Sequence, residues 1–301
     1  MKWNELTEIF SGYKLAYKNY IFVLLKMYTQ RKFVGRKNVT IKIKLKDGKK
    51  LVVPFGWAKY YSEINSLQSK IKNKNISDIK LSDKGISFNY NGHPLIMDMP
   101  KFSDPYAVFL KEEYKYLEVR GKDVIDIGVN IGDSLIYFAI KGAKRVIGLE
   151  PYPYAFSFAE RNVKLNEIHN IILLNCGYGK DDDVIVSESL TSPGSSLVNS
   201  SIGRKIKVIS LRTIINTYDL KTIILKMDCE GCEYALMDED DEIFDKIEMI
   251  QLEYHYGYER IVDKLKNLGF NVTFTLPKNS YNAYATNPYM NIGYIYAIQN
   301  K

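Results

Sequence analysis

The sequence has few cysteines and no long apolar run, and each shortage excludes a class of protein. Its 301 residues include three Cys, too few for a disulfide framework, which favours a reducing compartment. The longest apolar run near the N-terminus, YIFVLL from Tyr20, is about a third of the length that a membrane span needs. No small-residue cleavage site follows it, so the sequence predicts neither a transmembrane helix nor a signal peptide. We expect a cytoplasmic protein.

Charge is unevenly distributed along the chain. Residues 1–120 contain 23 Lys and Arg against 11 Asp and Glu, whereas residues 121–301 contain 19 against 24. A basic part is typical of contact with nucleic acid, anionic lipid or a phosphorylated substrate, although a solvated Lys-rich surface has the same composition. We therefore expect two domains, 1–120 and 121–301. The first would contact the acceptor, or a membrane surface peripherally through residues 1–35.

The basic part has an α+β pattern. Residues 4–33 mix aromatics and lysines at helical spacing, and apolar alternation on both sides of Asp47-Gly48 predicts a β-hairpin. A helix from Trp57 and two or three short strands over residues 79–99 follow. This region has no repeat or low-complexity tract.

From Lys122 onward, short apolar runs alternate with helical patterns. Such alternation predicts βαβ units with a parallel sheet that is buried on both faces. Residues 177–210 interrupt it and predict a small β excursion, and residues 233–247 predict one helix. The last two strands have no helix between them, so we expect an antiparallel hairpin.

Polar residues follow the first two strands of this α/β part. In open α/β sheets, ligands bind beyond the carboxyl ends of the strands. The first strand carries Asp126 and continues into a turn with Gly128, Asn130 and Gly132, and the second ends at Glu150. Glycines allow a ligand close to the backbone, and a carboxylate at the second position accepts hydrogen bonds from ribose hydroxyls. The pattern predicts a nucleoside-containing cofactor.

Charge separates the candidate cofactors. A dinucleotide site needs a third glycine and binds a pyrophosphate, which Asp126 would repel. S-adenosylmethionine brings a sulfonium and an ammonium, and an acid nearby favours both. We predict S-adenosylmethionine. A nicotinamide site and a fold that binds no cofactor remain as alternatives.

Several motifs in series resemble the FkbM family of S-adenosylmethionine-dependent methyltransferases. They are VIDIGVNIGDSLIYFA, VIGLEPYPYAFSFAERNVKLN, LLNCGYG, ILKMDCEGCEYALM and IQLEYH, between Asp123 and Phe270. The resemblance implies a Rossmann-like class I methyltransferase fold: a seven-stranded, mostly parallel sheet with an antiparallel last strand. It also implies O-methylation of a hydroxyl, often on a sugar or polyketide.

The resemblance also implies roles for individual residues. The acids Asp228, Glu230 and Glu233 match the family pattern, whereas Cys229 and Cys232 replace an aliphatic and a small residue. The residues implied to bind the cofactor are Asp126, Gly128, Asn130 and Gly132 beside the methionine part, Glu150 at the ribose, and Asn175 and Cys176 by the adenine.

Four residues at the ends of two neighbouring strands are candidates for catalysis. Strand alternation puts Asp228 and Glu230 on one side, and Glu253 and His255 likewise on the next strand. His255 is the candidate base, since its unperturbed pKa lies near neutrality. The acids would orient the acceptor or hold a divalent cation, which we leave open as an alternative to a metal-free site. Glu233 would stabilise a helix N-terminus.

The CxxC spacing of Cys229 and Cys232 raises a thiol alternative. Zinc would need Cys176 and His255 as further ligands, but the third and fourth strands should lie ~14 Å apart, too far for zinc bonds. Three flanking carboxylates oppose a thiolate. We therefore expect bystander cysteines.

We expect an O-methyltransferase that acts on a hydroxyl of a small molecule or glycan, including a lipid-linked or cell-surface sugar. One alternative is an RNA methyltransferase acting on tRNA, which is disfavoured because carboxylates would face a polyanion. The other is a non-catalytic binding protein with a cofactor fold. The sequence leaves the acceptor's identity and the oligomeric state open.

Overall fold

The computed structural model describes residues 3–29, 39–72, 74–98, 105–186, 203–281 and 289–300. The chain divides into two compact units. One comprises Met1–Glu113 with Lys164–Asn166, and the other Tyr114–Val163 with Glu167–Lys301. The functional division into residues 1–120 and 121–301 stays a prediction.

The first unit is the α+β region expected from the sequence. Its hairpin β1–β2 is antiparallel, and β3, β4 and β5 form a second antiparallel sheet in that order. Its elements are α1 Trp3–Ala16, α2 Tyr20–Thr29, β1 Thr40–Lys44, β2 Lys50–Pro54, α3 Phe55–Ile71, β3 Ile76–Leu81, β4 Ile86–Tyr90, β5 His93–Met97 and α4 Pro105–Phe109.

Two buried side chains of this unit make hydrogen bonds between segments distant in sequence. The Tyr17 hydroxyl donates to the carbonyl oxygen of Ala58 at 2.7 Å, and Trp57 Nε1 donates to Asp98 Oδ1 at 2.9 Å. By contrast, α2 exposes Ile21 and Leu25. Within the described residues, no helix is long and apolar enough to cross a membrane. Contact with a membrane surface through residues 1–35 stays a prediction, and residues 30–38 lie outside the described part.

The second unit contains the large central sheet. Its elements are β6 Asp123–Ile127, α5 Asp133–Ile140, β7 Arg145–Leu149, α6 Pro153–Leu165, β8 Ile171–Leu174, β9 Cys176–Tyr178, β10 Asp182–Val186, β11 Arg204–Ile209, α7 Leu211–Thr217, β12 Ile223–Met227, a 3-10 helix Cys232–Asp238, α8 Asp241–Phe244, β13 Ile247–Tyr254, α9 Glu259–Asn267, β14 Phe270–Phe274, β15 Lys278–Tyr281 and β16 Tyr289–Gln299. The last two residues of helix α6 fall in the first unit.

The order of strands defines the fold. The sheet runs β14-β16-β13-β12-β6-β7-β8, and β15 pairs with β16 off this path. Neighbours from β13 to β8 are parallel, whereas β16 is antiparallel to both β13 and β14. This is the class I methyltransferase topology, so the predicted fold class is confirmed.

The order reverses between β6 and β12, because the chain builds outward from β6 through β7 and then returns to begin again at β12. All five residues of β6 and all five of β12 are buried, as in a parallel sheet covered on both faces. Their carboxyl ends therefore lie side by side at the point where open α/β sheets bind ligands.

Two local expectations differ in outcome. The β excursion is confirmed, since β9, β10 and β11 form a separate three-stranded sheet. The single helix predicted over residues 233–247 is wrong. Glu239 has an extended backbone between the 3-10 helix and α8, and its carboxylate accepts the Leu211 N–H at 2.7 Å and the Tyr178 hydroxyl at 3.2 Å. These tertiary hydrogen bonds interrupt the helix.

The contact between the ends of β6 and β12 yields a test of stability. Gly128 has φ +82°, and a Cβ at this position would lie 1.8 Å from the carbonyl oxygen of Asp228. We expect Gly128→Ala to lower the free energy of unfolding by about 3 kcal/mol or more, because a positive φ and overpacking add. Urea unfolding followed by circular dichroism measures the change.

Gly121 provides the matched control. Its φ is +72°, but nothing lies within 4 Å of its added Cβ, so Gly121→Ala should cost only about 1–2 kcal/mol. Equal losses in the two variants would contradict the close approach.

Candidate functional site

The turn after β6 is built from left-handed residues. Gly128, Asn130 and Gly132 have φ values of 82°, 48° and 84°, which glycine and asparagine tolerate best. A Cβ on Gly132 would lie 3.1 Å from Ala159 Cα in α6. The backbone N–H of Gly128 donates to the Leu149 carbonyl oxygen at 3.0 Å. The predicted glycine turn thus brings β6, β7 and α6 together.

Asp126 forms a buried ion pair. Its Oδ1 lies 2.9 Å from Lys226 Nζ, and both side chains are almost fully inaccessible. Lys226 also donates to the Gly128 carbonyl oxygen at 2.8 Å. Burial alone would lower the pKa of Lys226, but Asp126 and Asp228 hold it above its usual value. Lys226 therefore neutralises the carboxylate that the sequence analysis expected to face the cofactor's positive charges.

Glu150 is held at the end of β7 by backbone groups. Its Oε2 accepts the Asn130 N–H at 2.9 Å and its Oε1 the Tyr152 N–H at 3.0 Å. Burial raises the pKa of Glu150 to about 7, although these two hydrogen bonds oppose the shift. The Asn175 amide donates to the Glu150 carbonyl oxygen at 2.8 Å, which fixes the strand end.

The three cysteines line one cavity of about 30 Å³, together with Gly128 and Tyr178. The third strand, β8, lies three positions from β12 as expected, but Cys176 belongs to β9, which pairs with β11 outside the central sheet. Cys229 and Cys232 form a disulfide, and the expectation that these cysteines are bystanders to the chemistry stays a prediction. Burial raises the pKa of the free Cys176 thiol to about 12. No cysteine therefore offers a thiolate to zinc.

The acids after β12 meet the end of β13 in a carboxylate–imidazole cluster, which consists of Asp228, Glu230, Glu233, Glu253 and His255. Glu230 has φ +57° and Gly231 has φ +118°, so the chain turns and strand alternation stops short of Glu230, contrary to expectation. The turn still brings Glu230 Oε2 to 3.5 Å and Asp228 Oδ1 to 4.0 Å from His255 Nε2.

Glu233 organises this cluster. It is fully buried, its Oε2 accepts the Gly231 N–H at 2.9 Å, and its Oε1 accepts the His255 N–H at 3.0 Å and lies 2.9 Å from His255 Nδ1. Sequence reasoning gave Glu233 only a helix-terminal role. The signal for the pairing was missed. It is the combination of an acid after the turn that follows β12 and a histidine at the end of the adjacent strand, β13.

The surrounding carboxylates change the ionisation of His255. Burial lowers the pKa of His255, but the Glu233 hydrogen bond and the nearby Asp228 and Glu230 raise it by more than burial lowers it. The pKa is therefore about 9. The ring is therefore protonated at neutral pH, whereas the sequence analysis assumed titration near neutrality.

Two side chains of the cluster are partly exposed to solvent. Asp228 is about a third exposed and Glu253 is half-buried, while His255 lies beneath them. Ligand atoms of these three residues lie within 4.8 Å of one another. Because the Asp228 N–H donates to the Ile127 carbonyl oxygen at 3.0 Å, the cluster adjoins the glycine turn. The arrangement can orient a polar group beside a cofactor.

Comparison with known proteins finds methyltransferases. Residues 126–272 match the methyltransferase FkbM domain. A ribosomal protein L11 methyltransferase of Alkaliphilus oremlandii is 23% identical over 226 residues, which are 73% of this chain and 61% of the relative. A Methanocaldococcus jannaschii protein that bears the name of an N5-glutamine methyltransferase is 43% identical over 53 residues, or 18% of this chain and 27% of that protein.

These relatives are matched over less than two thirds of their own length. Among solved structures, M. jannaschii TYW2 in complex with AdoMet has a TM-score of 0.38 at 14% identity, covering 75% of this chain and 90% of that one. The fold assignment rests on strand order instead. Residues 126–272 of the chain thus form an FkbM-type methyltransferase domain, of the S-adenosylmethionine-dependent class.

Proposed function

We propose that the protein transfers a methyl group from S-adenosylmethionine to a hydroxyl of a small molecule or glycan. The observation that carries this proposal is the carboxylate–imidazole cluster at the ends of β12 and β13, in backbone contact with the glycine turn after β6. A hydroxyl is a weak acid, so its methylation benefits from groups that position it and accept its proton.

Several residues fit the cofactor. The turn from Gly128 to Gly132, whose two glycines pack against the Asp228 carbonyl and Ala159, is the segment for the methionine part, and Glu150 is the carboxylate for the ribose hydroxyls. Asn175 fixes Glu150, and Cys176 lines the cavity that we assign to the adenine edge. Asp126 acts through Lys226 and the Gly128 carbonyl rather than as a free charge.

The proposed reaction requires a methyl transfer and the removal of a proton, and the cluster supplies the groups that accept the proton. S-adenosylmethionine supplies an electrophilic methyl group: the carbon–sulfur bond breaks, sulfur keeps its electron pair as a thioether, and a carbon–oxygen bond forms. The hydroxyl proton passes to Asp228 or Glu230 and then to water. His255 is already protonated before the methyl transfer, so its first role is to hold the carboxylates of Asp228 and Glu230 in place. It accepts a proton only after losing its own.

RNA and protein are the two other acceptors to consider. An RNA would bring phosphates toward four carboxylates, which is unfavourable. A protein acceptor is the second candidate, because two of the relatives are named as methyltransferases of proteins.

Labelling distinguishes these acceptors. We expect the purified chain to transfer label from methyl-labelled S-adenosylmethionine into the small-molecule or glycan fraction of a host extract. Mass spectrometry should find a one-methyl mass increase that alkali does not remove, as for an ether. Label confined to protein, or to tRNA, would overturn the hydroxyl assignment.

The acids should matter for turnover more than for cofactor binding. We expect Asp228→Asn and Glu230→Gln each to lower kcat by about 100-fold, the usual scale for a lost proton-transfer group. Calorimetry should show affinity for S-adenosylhomocysteine within about twofold of the parent. Asp219→Asn is the control, because Asp219 is exposed and pairs with Lys221. Parallel losses of turnover and affinity would argue against an acceptor-side role.

The role of Glu150 predicts a pH dependence of cofactor binding. Ribose hydroxyls donate to the ionised carboxylate, whose pKa is about 7. Affinity for S-adenosylhomocysteine should therefore be nearly full at pH 8 and fall about tenfold between pH 8 and pH 6 as the carboxyl takes up a proton. Glu150→Gln should bind more weakly, with little change over this range. An equal pH dependence in the variant would assign the effect elsewhere.

A further inference from the structure

We propose that Asp228, Glu253 and His255 bind a divalent transition-metal ion of the Mn²⁺ type. The ion's catalytic use rests on the proposed function, but its binding does not. The sequence left a cation open with oxygen ligands only, whereas the structure replaces Glu230 by the His255 imidazole in the group whose ligand atoms converge.

The geometry is close to that of a metal site. One ligand atom from each residue lies within 4.8 Å of the other two. In a site with bonds of ~2.1 Å, ligand atoms lie about 3 Å apart when adjacent and about 4 Å apart when opposite. Asp228 and Glu253 are only partly buried, so rotation of their side chains closes the difference. The two strands that carry them pair directly, with Met227 opposite Leu252.

Glu233 prepares His255 for this role. With Nδ1 hydrogen-bonded to Glu233 at 2.9 Å, Nε2 is left facing Asp228 and Glu230. Histidines that bind metals are usually oriented in this way, by a carboxylate on the other ring nitrogen. The buried pair therefore fixes the orientation of the ring and directs Nε2 toward the acids of the cluster.

Formal charge favours a cation at this point. Four carboxylates surround one imidazole, so the cluster is negative even when the ring carries a proton. A dication bound at Nε2 in place of this proton would cancel more of the cluster's negative charge.

The donor set selects the kind of ion. One nitrogen and two carboxylates suit Mn²⁺, Fe²⁺ or Co²⁺ better than Ca²⁺ or Mg²⁺, which prefer oxygen alone. The neighbouring sulfurs are bonded to each other, which removes the thiolates that would favour zinc. An acceptor hydroxyl bound to such an ion loses its proton more readily, which gives Glu230 a more acidic group to deprotonate.

Direct binding of Mn²⁺ tests the site. The purified full chain, stripped with a chelator and desalted, is titrated with MnCl2 while electron paramagnetic resonance follows free Mn²⁺. We expect one ion per chain. Asp228→Asn and Glu253→Gln should each raise Kd by about tenfold or more, and Asp219→Asn should leave it unchanged.

Glu253→Gln leaves the buried His255–Glu233 pair intact, and circular dichroism confirms folding. Absence of binding up to millimolar Mn²⁺, or binding that both variants leave unchanged, overturns the proposal. Calorimetry with S-adenosylhomocysteine in the same preparation separates the two ideas: cofactor binding without Mn²⁺ binding removes the metal site alone, and Mn²⁺ binding without cofactor binding removes the proposed function alone.

Discussion

The buried ion pair between Lys226 and Asp126 is the interaction on which the rest of the site depends. The two residues lie directly opposite in the register of β12 and β6, the central strands where the order reverses. Lys226 also donates to the Gly128 carbonyl, so one ammonium joins both strands to the glycine turn. Removal of either partner would leave an uncompensated buried charge, at a cost of about 3–5 kcal/mol. The positions of both turns follow from this pairing.

The same device recurs on the next strand. His255 and Glu233 form a second buried pair of opposite charge, which joins the end of β13 to the turn after β12. Each pair neutralises an acid, Asp126 or Glu233, whose partner could not be identified from the sequence. The acids of the site that lie outside these two pairs are Glu150, Asp228, Glu230 and Glu253. We propose that Glu150 acts on the cofactor and the other three on the acceptor.

The sequence predicted the features that depend on local pattern. The buried apolar runs of β6 and β12 and the glycine turn are encoded within short stretches, and family motifs placed Glu150 after the second strand. Glu233 and Cys176 were misjudged for physical reasons. The role of Glu233 comes from His255, 22 residues away, and Cys176 is displaced by the switch of β9 into another sheet. Contacts distant in sequence decided both.

The disulfide connects the cysteines to the chemistry of the acids. Cys229 and Cys232 close a loop that contains Glu230 and Gly231, both in left-handed conformations, and that is flanked by Asp228 and Glu233. A covalent link across such a turn restricts the conformations available to its carboxylates when no acceptor is bound. The same bond lines the cavity beside Gly128 and Cys176. The thiol and acid interpretations of this stretch are thus complementary, because the bonded sulfurs shape the turn that presents the carboxylates.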